Sequence, residues 1–198
     1  MMRSLMGMGN SGGGLRDSKY HGVVLGQVLS NTDPELRGRV KVQLSSFGEL
    51  VDSDWAPVVT PNTNFSFLPE IGENVLVAFE SGDVSRPYVI GSVQNGLMPP
   101  PSPNADGANS FKKIQTRLKQ TITFDDTQGN ITIEDATGNI IEVGPAGITI
   151  TAVGDLTMEA AANVNITAGA QVSITASAGA TIDGGASADI KGGTINLN

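Results

Sequence analysis

Apolar side chains recur every eight residues in the C-terminal part of the chain, and a second apolar position lies two residues before each of them. A polar or small residue separates the two positions, which is the alternation of a β-strand. The first register is Ile148, Leu156, Val164, Val172, Ala180 and Ala188, and the second is Ile150, Met158, Ile166, Ile174, Ile182 and Ile190. Small residues such as Ala168 and Gly169 follow each pair and suit a corner. The pattern predicts stacked strands.

A short fixed period is typical of a β-helix or solenoid. One chain closing three-sided rungs would complete fewer than the roughly three stacked units that bury a continuous core. If three chains each give one strand per layer, every octad forms a complete layer. We therefore predict an intertwined homotrimeric β-helix, or needle, over residues 121–198. Its core is predicted to be Ile148, Ile150, Leu156, Met158, Val164, Ile166, Val172, Ile174, Ile182 and Ile190.

The pattern changes at both ends of this segment, in its period at the start and in the size of its apolar residues at the end. Before the octads the predicted series steps by nine residues, from Ile122 to Ile131 to Ile140. Toward the C terminus the first register shrinks from isoleucine to alanine, which predicts a narrowing core. The final residues 192–198 leave Ile195 and Leu197 as apolar side chains at a blunt end.

The front of the chain alternates over shorter runs. Strand-like segments at 22–28, 38–44, 74–79 and 87–93 are separated by turn-forming residues. They predict a small closed barrel over residues 20–96. Residues 1–19 contain a glycine-rich run and are predicted to be a flexible arm. Prolines and then cations follow the barrel, so residues 97–120 are predicted to be a Pro-rich spacer and basic neck.

Charge is concentrated in the predicted needle. The net charge is -8, and residues 121–198 hold one cation, Lys191, against all of the excess carboxylates. An acidic surface repels phosphate, which argues against a nucleic-acid partner. The chain has no cysteine, and its start lacks the apolar run of a signal peptide. We expect a protein made in the cytoplasm, with no export signal and no membrane span.

Candidate chemistry is sparse. The single histidine, His21, is expected to be a solvated side chain rather than a metal ligand. The carboxylate pairs Asp125-Asp126 and Glu134-Asp135 resemble glycosidase acids, but adjacent strand residues point to opposite faces. We therefore predict no catalytic site, no metal and no cofactor. Arg37, Arg39 and Lys41 lie along one strand, where they either face a partner's carboxylates or are simply solvated.

The order of motifs in the front domain resembles the oligosaccharide/oligonucleotide-binding (OB) fold domain of phage baseplate protein V and of VgrG spike proteins. The residues that carry the resemblance are Gly22-Val23-Val24, Gly26-Gln27-Val28, Asp33-Pro34, Gly38-Arg39-Val40-Lys41-Val42, Trp55-Ala56-Pro57-Val58, the run 68–79, Gly82-Asp83 and Arg86-Pro87-Tyr88-Val89-Ile90-Gly91. With the octads, the resemblance covers residues 20–198. The implied fold is all-β: an N-terminal OB-fold barrel followed by an intertwined trimeric β-helix.

The resemblance implies a homotrimeric central spike of a contractile tail or injection apparatus, which punctures the target cell envelope. It implies a location in the tail baseplate or injection particle, and a separate hub protein at the OB end, with Arg37, Arg39 and Lys41 as its contact. No lysozyme-like insertion follows the OB domain, and no terminal histidines form an iron site. A PAAR-type tip protein is therefore expected at Ile195 and Leu197. The alternative is a receptor-binding or polysaccharide-degrading tailspike.

Overall fold

The computed structural model describes residues 19–45 and 50–196, and within them the chain forms strands and turns without an α-helix. Two sheets are present. The first contains β1 (Val23–Ser30), β2 (Arg39–Leu44), β3 (Val51–Asp52), β4 (Ala56–Pro57), β5 (Asn74–Phe79) and β6 (Pro87–Ser92). The second contains β7 (Phe111–Gln115), β8 (Thr121–Asp125), β9 (Asn130–Glu134), β10 (Ile140–Gly144) and β11 (Gly147–Thr151). The predicted all-β class is confirmed.

The first sheet closes into a barrel. Strands run in the order β3-β2-β1-β5-β6, and β4 returns to pair with β2 through Ala56 opposite Val40. Val58 then forms a parallel bridge with Val89 of β6, and the amide of Val59 donates to the Val89 carbonyl at 2.8 Å. The two ends of the sheet are thereby joined, which removes most of its open edge.

Alternation along the strands builds the barrel core. In β2 the apolar residues face inward, and the intervening polar residues lie on the outer surface. The core consists of Val24, Val28, Val40, Val42, Leu44, Ala56, Val75, Val77, Phe79 and Val89. At Gly26 a Cβ would lie 2.4 Å from Val42 Cγ1, so only glycine permits this approach of β1 to β2. The core is small and rich in valine, as expected for a narrow barrel.

The second sheet is an antiparallel meander in the order β11-β10-β9-β8-β7. Its first strand, β7, lies inside the predicted neck, and its other four strands lie inside the predicted needle. Each strand pairs with sequence neighbours in the same chain. This differs from the predicted needle, in which each layer takes one strand from each of three chains. Short polar turns between these strands allow the chain to fold back on itself.

The chain divides into two compact units, Met1–Val153 and Gly154–Asn198. The described part of the second unit forms no strand in the single chain, and its side chains are exposed. In a single chain, the octads have no neighbouring strand with which to pair. The β-helix therefore remains a prediction. Across residues 19–45 and 50–196, the chain forms no helix with the length and apolarity needed to cross a bilayer.

Candidate trimer interface and barrel surfaces

One face of the β7–β11 sheet is apolar. Directly opposed residues of antiparallel strands project to the same face, so the strand register identifies what each face carries. One row crosses all five strands as Ile114, Ile122, Ile133, Ile141 and Ile150. The adjacent row is Lys112, Phe124, Ile131, Val143 and Ile148. We call the nine apolar residues of these rows the apolar sheet face.

The other face of the same sheet is polar. Between the two apolar rows runs Lys113, Thr123, Thr132, Glu142 and Thr149. Threonine favours strands because its Cβ is branched. This second face is mainly polar but also carries Phe111 and Ile140, and Thr123 and Thr132 are only partly exposed on it.

The apolar sheet face is exposed in the single chain. Its least exposed residue, Ile122, keeps 36% of its surface accessible, and its most exposed, Ile148, keeps 71%. Nine adjoining apolar side chains thus form one exposed patch, and large exposed apolar patches mark interaction sites.

The predicted needle-core residues fall into two groups. Ile148 and Ile150 lie in β11, opposite Val143 and Ile141, and belong to the apolar sheet face. The other eight lie in the tail, and each is more than half exposed: Leu156, Met158, Val164, Ile166, Val172, Ile174, Ile182 and Ile190. Their assignment to a buried core stays a prediction.

The nine-residue series is wrong at its last member. Ile122 and Ile131 lie on the apolar sheet face, but Ile140 pairs with Glu134 in a row on the opposite face. Ile141 occupies the apolar position instead. In a meander the facing of a residue depends on cross-strand pairing and turn length, so a constant sequence step is not required.

A buried ion pair fixes the loop between β1 and β2. Both carboxylate oxygens of Asp33 accept hydrogen bonds from the Arg39 guanidinium, each at 2.8 Å, and they also accept from the backbone amides of Glu35 and Arg37 at 3.0 Å. Asp33 is only 4% exposed. The Arg39 guanidinium is the main reason that the pKa of Asp33 lies well below its usual range, and the same pair raises the pKa of Arg39.

The three predicted hub-contact residues differ in availability. Arg39 is mostly buried by its pairing with Asp33, and it also contacts Glu35 at 3.2 Å. Arg37 is exposed and pairs with Glu35 at 3.0 Å. Lys41 lies on the outer surface of β2, half-exposed, with its Nζ 3.9 Å from an Asp52 carboxylate oxygen. The structure does not bring the three cations together as one free patch.

The sequences of both sheet regions match known families. Residues 24–93 match the Type VI secretion system/phage-baseplate injector OB domain, and residues 112–175 match the phage baseplate V C-terminal trimerisation domain. The chain belongs to the baseplate protein V/VgrG-type family. Its first sheet is therefore the OB domain, and its role is that of a structural component of a phage baseplate or Type VI secretion spike. No curated protein matches the chain.

The match to the trimerisation domain indicates that the partner of the exposed sheet is another copy of the chain. All nine residues of the apolar sheet face lie within 112–175. The match supports a homotrimer for this baseplate protein, in which further copies of the chain are available to cover apolar surface. Sequence reasoning found Ile148 and Ile150 and placed Ile122 and Ile131 in the preceding nine-residue series, but it missed the other five members: Ile114, Phe124, Ile133, Ile141 and Val143. The signal was present as isoleucines two residues apart in 131–133, flanked by Asp/Thr/Gly/Asn turns.

Asp135 organises the turn that precedes β10 of the trimerisation domain. Its carboxylate accepts hydrogen bonds from the Asn139 side-chain amide at 2.7 Å and from the backbone amides of Thr137 and Gly138 at 2.8 and 2.9 Å. The Asn139 contact is the largest cause of an Asp135 pKa well below its usual range. Asn139 also accepts a hydrogen bond from the Val153 amide at 2.8 Å. This turn therefore anchors the chain where it leaves the sheet.

The carboxylates considered for glycoside hydrolysis have other contacts in this baseplate protein. Asp126 pairs with Lys112, and Asp125 accepts from the amide of Thr127 at 2.8 Å in a turn. Within residues 19–45 and 50–196, no three His, Asp or Glu side chains are grouped so as to hold a metal ion. His21 is exposed and lies beside Gly82. The family to which the chain belongs is one of structural baseplate proteins.

The predicted tip residues are partly described. Ile195 is half-exposed near the C-terminal end of the chain. Leu197 lies outside the residues that the structure describes. Docking of a tip protein there stays a prediction.

Proposed function

We propose that three copies of this chain form a rigid spike that punctures a target cell envelope when a contractile tail or injection apparatus fires. The observation that carries the proposal is the apolar sheet face, which lies wholly inside the trimerisation-domain match and is exposed in one chain. Three such faces turned toward a common axis shield each other from water. Complete burial of an exposed isoleucine contributes roughly 1.5–3 kcal/mol, and these side chains, which are already partly covered in one chain, gain a fraction of that on assembly.

The tail extends this arrangement toward the C terminus. Its two apolar registers continue the eight-residue spacing that starts at Ile148 and Ile150, and in the proposed trimer the octads of each chain are buried against those of the other two. Three chains supply the strand neighbours that one chain lacks. The resulting β-helix pairs backbone groups between chains and resists local opening, which is the mechanical property that a puncturing device requires.

The two ends of the spike bind different partners in this proposal. A separate hub protein contacts the OB domain at the outer surface of β2. Lys41 is the cation best placed for that contact, since Arg39 is held by Asp33 and Arg37 lies at the rim beside Glu35. A PAAR-type tip protein covers Ile195 and Leu197 at the other end. A hub carboxylate opposite Lys41 would add attraction that weakens at high salt.

Particles that carry single substitutions in the tail test the puncturing role. Ile174→Asp places three carboxylates in one predicted core layer without partners, which strongly opposes assembly of that layer. The matched control is Ser173→Asp, which adds the same charge at the adjacent polar position. Particles with each variant are triggered against target cells, and membrane depolarisation is recorded.

The two variants are expected to separate clearly. Particles carrying Ile174→Asp should lose most depolarisation, while those carrying Ser173→Asp should retain it. Immunoblotting of purified particles establishes that both variants are incorporated. Equal depolarisation by the two variants would contradict a role for the ordered needle in puncturing.

A further inference from the structure

The outer surface of the OB barrel is apolar on one side. Strands β1, β5 and β6 are neighbours in the first sheet, and Ala78 of β5 pairs with Val23 of β1 and with Tyr88 of β6. In the next outward row, Leu25 pairs with Leu76. We call the large or apolar residues that alternate with the core residues of these three strands the apolar outer wall: Val23, Leu25, Leu76, Ala78, Tyr88 and Ile90.

The apolar outer wall is open to solvent in the described part of the chain. Val23 keeps 52% of its surface accessible, and Ile90 keeps 44%. The outward positions of β2, in contrast, are polar: Arg39, Lys41 and Gln43. An antiparallel strand with one solvated face ordinarily carries polar residues on that face, so apolar residues on both faces of β1, β5 and β6 indicate that another segment covers the wall.

Residues 1–18, which lie outside the described part of the chain, join the barrel at one end of this wall. The Tyr20 amide donates to the Gly82 carbonyl at 2.8 Å, and Lys19 forms an antiparallel bridge with Asp83. Both contacts lie in the connection from β5 to β6. The start of the described chain is therefore fixed beside two of the three strands that form the apolar outer wall.

The preceding residues combine apolar side chains with a glycine-rich spacer. Segment 1–8 holds four of the six methionines of the chain together with Leu5, and residues 9–14 are Gly-Asn-Ser-Gly-Gly-Gly. Methionine is unbranched and adapts to irregular apolar surfaces, and its sulfur makes favourable contacts with aromatic rings. The apolar outer wall offers such a ring in Tyr88, among aliphatic neighbours. Segment and wall therefore match in chemistry.

The connecting residues are long enough for segment 1–8 to reach the wall. Residues 9–18 separate it from Lys19, and ten extended residues span at most about 35 Å. Three strands that lie about 4.8 Å apart, with three residues along each, cover a surface of only about 10 Å by 10 Å. A short tether also raises the effective concentration of the segment at the wall, so weak apolar contacts are sufficient for binding.

We propose that residues 1–8 bind to the apolar outer wall of their own barrel, with the glycine-rich residues 9–14 as the spacer. The proposal does not depend on the trimer, because segment, spacer and wall belong to one chain. It rests on the place where the described chain begins beside the wall, on the length of the connecting residues and on the matching apolar chemistry.

Photo-crosslinking tests this contact. The photoreactive analogue p-benzoylphenylalanine replaces Met6 in the full chain, and the purified protein is irradiated and run on a denaturing gel. Tandem mass spectrometry of the digested bands then identifies the residue joined to position 6. We expect products that migrate with the single 20.4 kDa chain and carry the crosslink on residues of the apolar outer wall.

Two charge substitutions on the barrel provide a matched pair for the same measurement. Ile90→Glu places a carboxylate in the apolar outer wall, whereas Gln43→Glu places one at an outward position of β2. The yield of wall crosslinks should fall by roughly tenfold or more in Ile90→Glu, because a covered carboxylate loses its hydration. It should be unchanged in Gln43→Glu. Melting temperatures establish that both variants fold.

Gel position and light scattering separate the outcomes. Wall crosslinks within one chain that are lost only in Ile90→Glu support the proposal. Crosslinks confined to residues 1–18, or spread equally over β2, overturn it. Crosslinks at twice the chain mass also overturn it, because the segment would then contact another copy. A change of oligomeric state in Ile90→Glu alone overturns it too and would assign the wall to a contact between copies. Each of these failures leaves the proposed spike intact.

Discussion

The carboxylate of Asp33 accepts two hydrogen bonds from the guanidinium of Arg39, each 2.8 Å long. The pair spans the loop that joins the first two strands of the OB domain, and Asp33 also satisfies backbone amides within that loop. A bidentate geometry of this kind restricts both partners more than a single contact does. The pair is thus a structural element of the barrel rather than a free charge for ligands.

Arg39→Lys should destabilise the OB domain. Lysine retains the charge but cannot donate two parallel hydrogen bonds to Asp33. We expect the melting temperature of the barrel to fall by about 5 °C or more, measured by circular dichroism. Arg86→Lys is the matched control, because Arg86 is exposed and its ion pair with Glu80, at 3.5 Å, is longer and solvated, so that losing it should change stability little. Equal decreases in melting temperature for the two variants would show that the bidentate pairing with Asp33 stabilises the barrel no more than an exposed ion pair does.

Acid should weaken the OB domain through Asp33. The folded-state pKa of Asp33 lies below its ordinary value of 3.8, so its contribution to stability is complete above about pH 5. That contribution is lost as pH falls through 3.8 toward the folded-state pKa. Melting temperatures from pH 7 down to pH 2.5 should decrease less steeply for Asp33→Asn than for the unmodified chain. Parallel curves would mean that Asp33 is not a source of the acid sensitivity.

Ile133→Asp should prevent trimer formation, whereas Thr132→Asp should not. The two residues are adjacent in β9 and project to opposite faces, so the substitutions add the same charge to the apolar and polar sides. In the proposed trimer, Ile133→Asp buries three unpartnered carboxylates near each other. Analytical ultracentrifugation at micromolar concentration should give a monomer for Ile133→Asp and a trimer for Thr132→Asp. If both variants remained trimeric, the trimer interface would not involve the apolar sheet face.

Asn139→Ala should release the start of the tail. The substitution removes the acceptor for the Val153 amide and one donor to Asp135. We expect faster hydrogen exchange at Val153 and a rise in the pKa of Asp135, both measurable by NMR. Thr137→Ala is the control, since Thr137 also donates to Asp135 at 2.8 Å but has no contact with Val153 among those described. Unchanged exchange at Val153 in Asn139→Ala would contradict the anchoring role.

The barrel could be predicted from sequence because its longer strands are short β-rich runs separated by turn-forming residues, and one of them alternates strictly. In β2 the inward residues Val40, Val42 and Leu44 alternate with polar residues, so one pattern gives both the strand and its buried face. The predicted strand segments overlap β1, β2, β5 and β6. Asp33, in contrast, was identified only as part of a turn. Its partner Arg39 is six residues away, and a sequence pattern gives no distance between their side chains.

The meander was harder to predict, for two physical reasons. Because of Lys112 and Lys113, the segment that forms β7 was predicted to be part of the basic neck rather than a strand, although cations are common on edge strands. Ile140 and Ile141 are adjacent, so spacing alone could not decide which one faces the apolar side. That choice depends on the five-residue turn at 135–139 and on the pairing of Ile141 with Ile133. The octads of the tail carry no equivalent pairing within one chain.

The mass of the intact protein in solution tests the central claim most directly. Size-exclusion chromatography with multi-angle light scattering measures that mass without a reference shape. The account predicts a single species of three times the 20.4 kDa chain mass, because the apolar sheet face and the octads need neighbouring copies for burial. A stable species with the mass of one chain would contradict the trimeric spike.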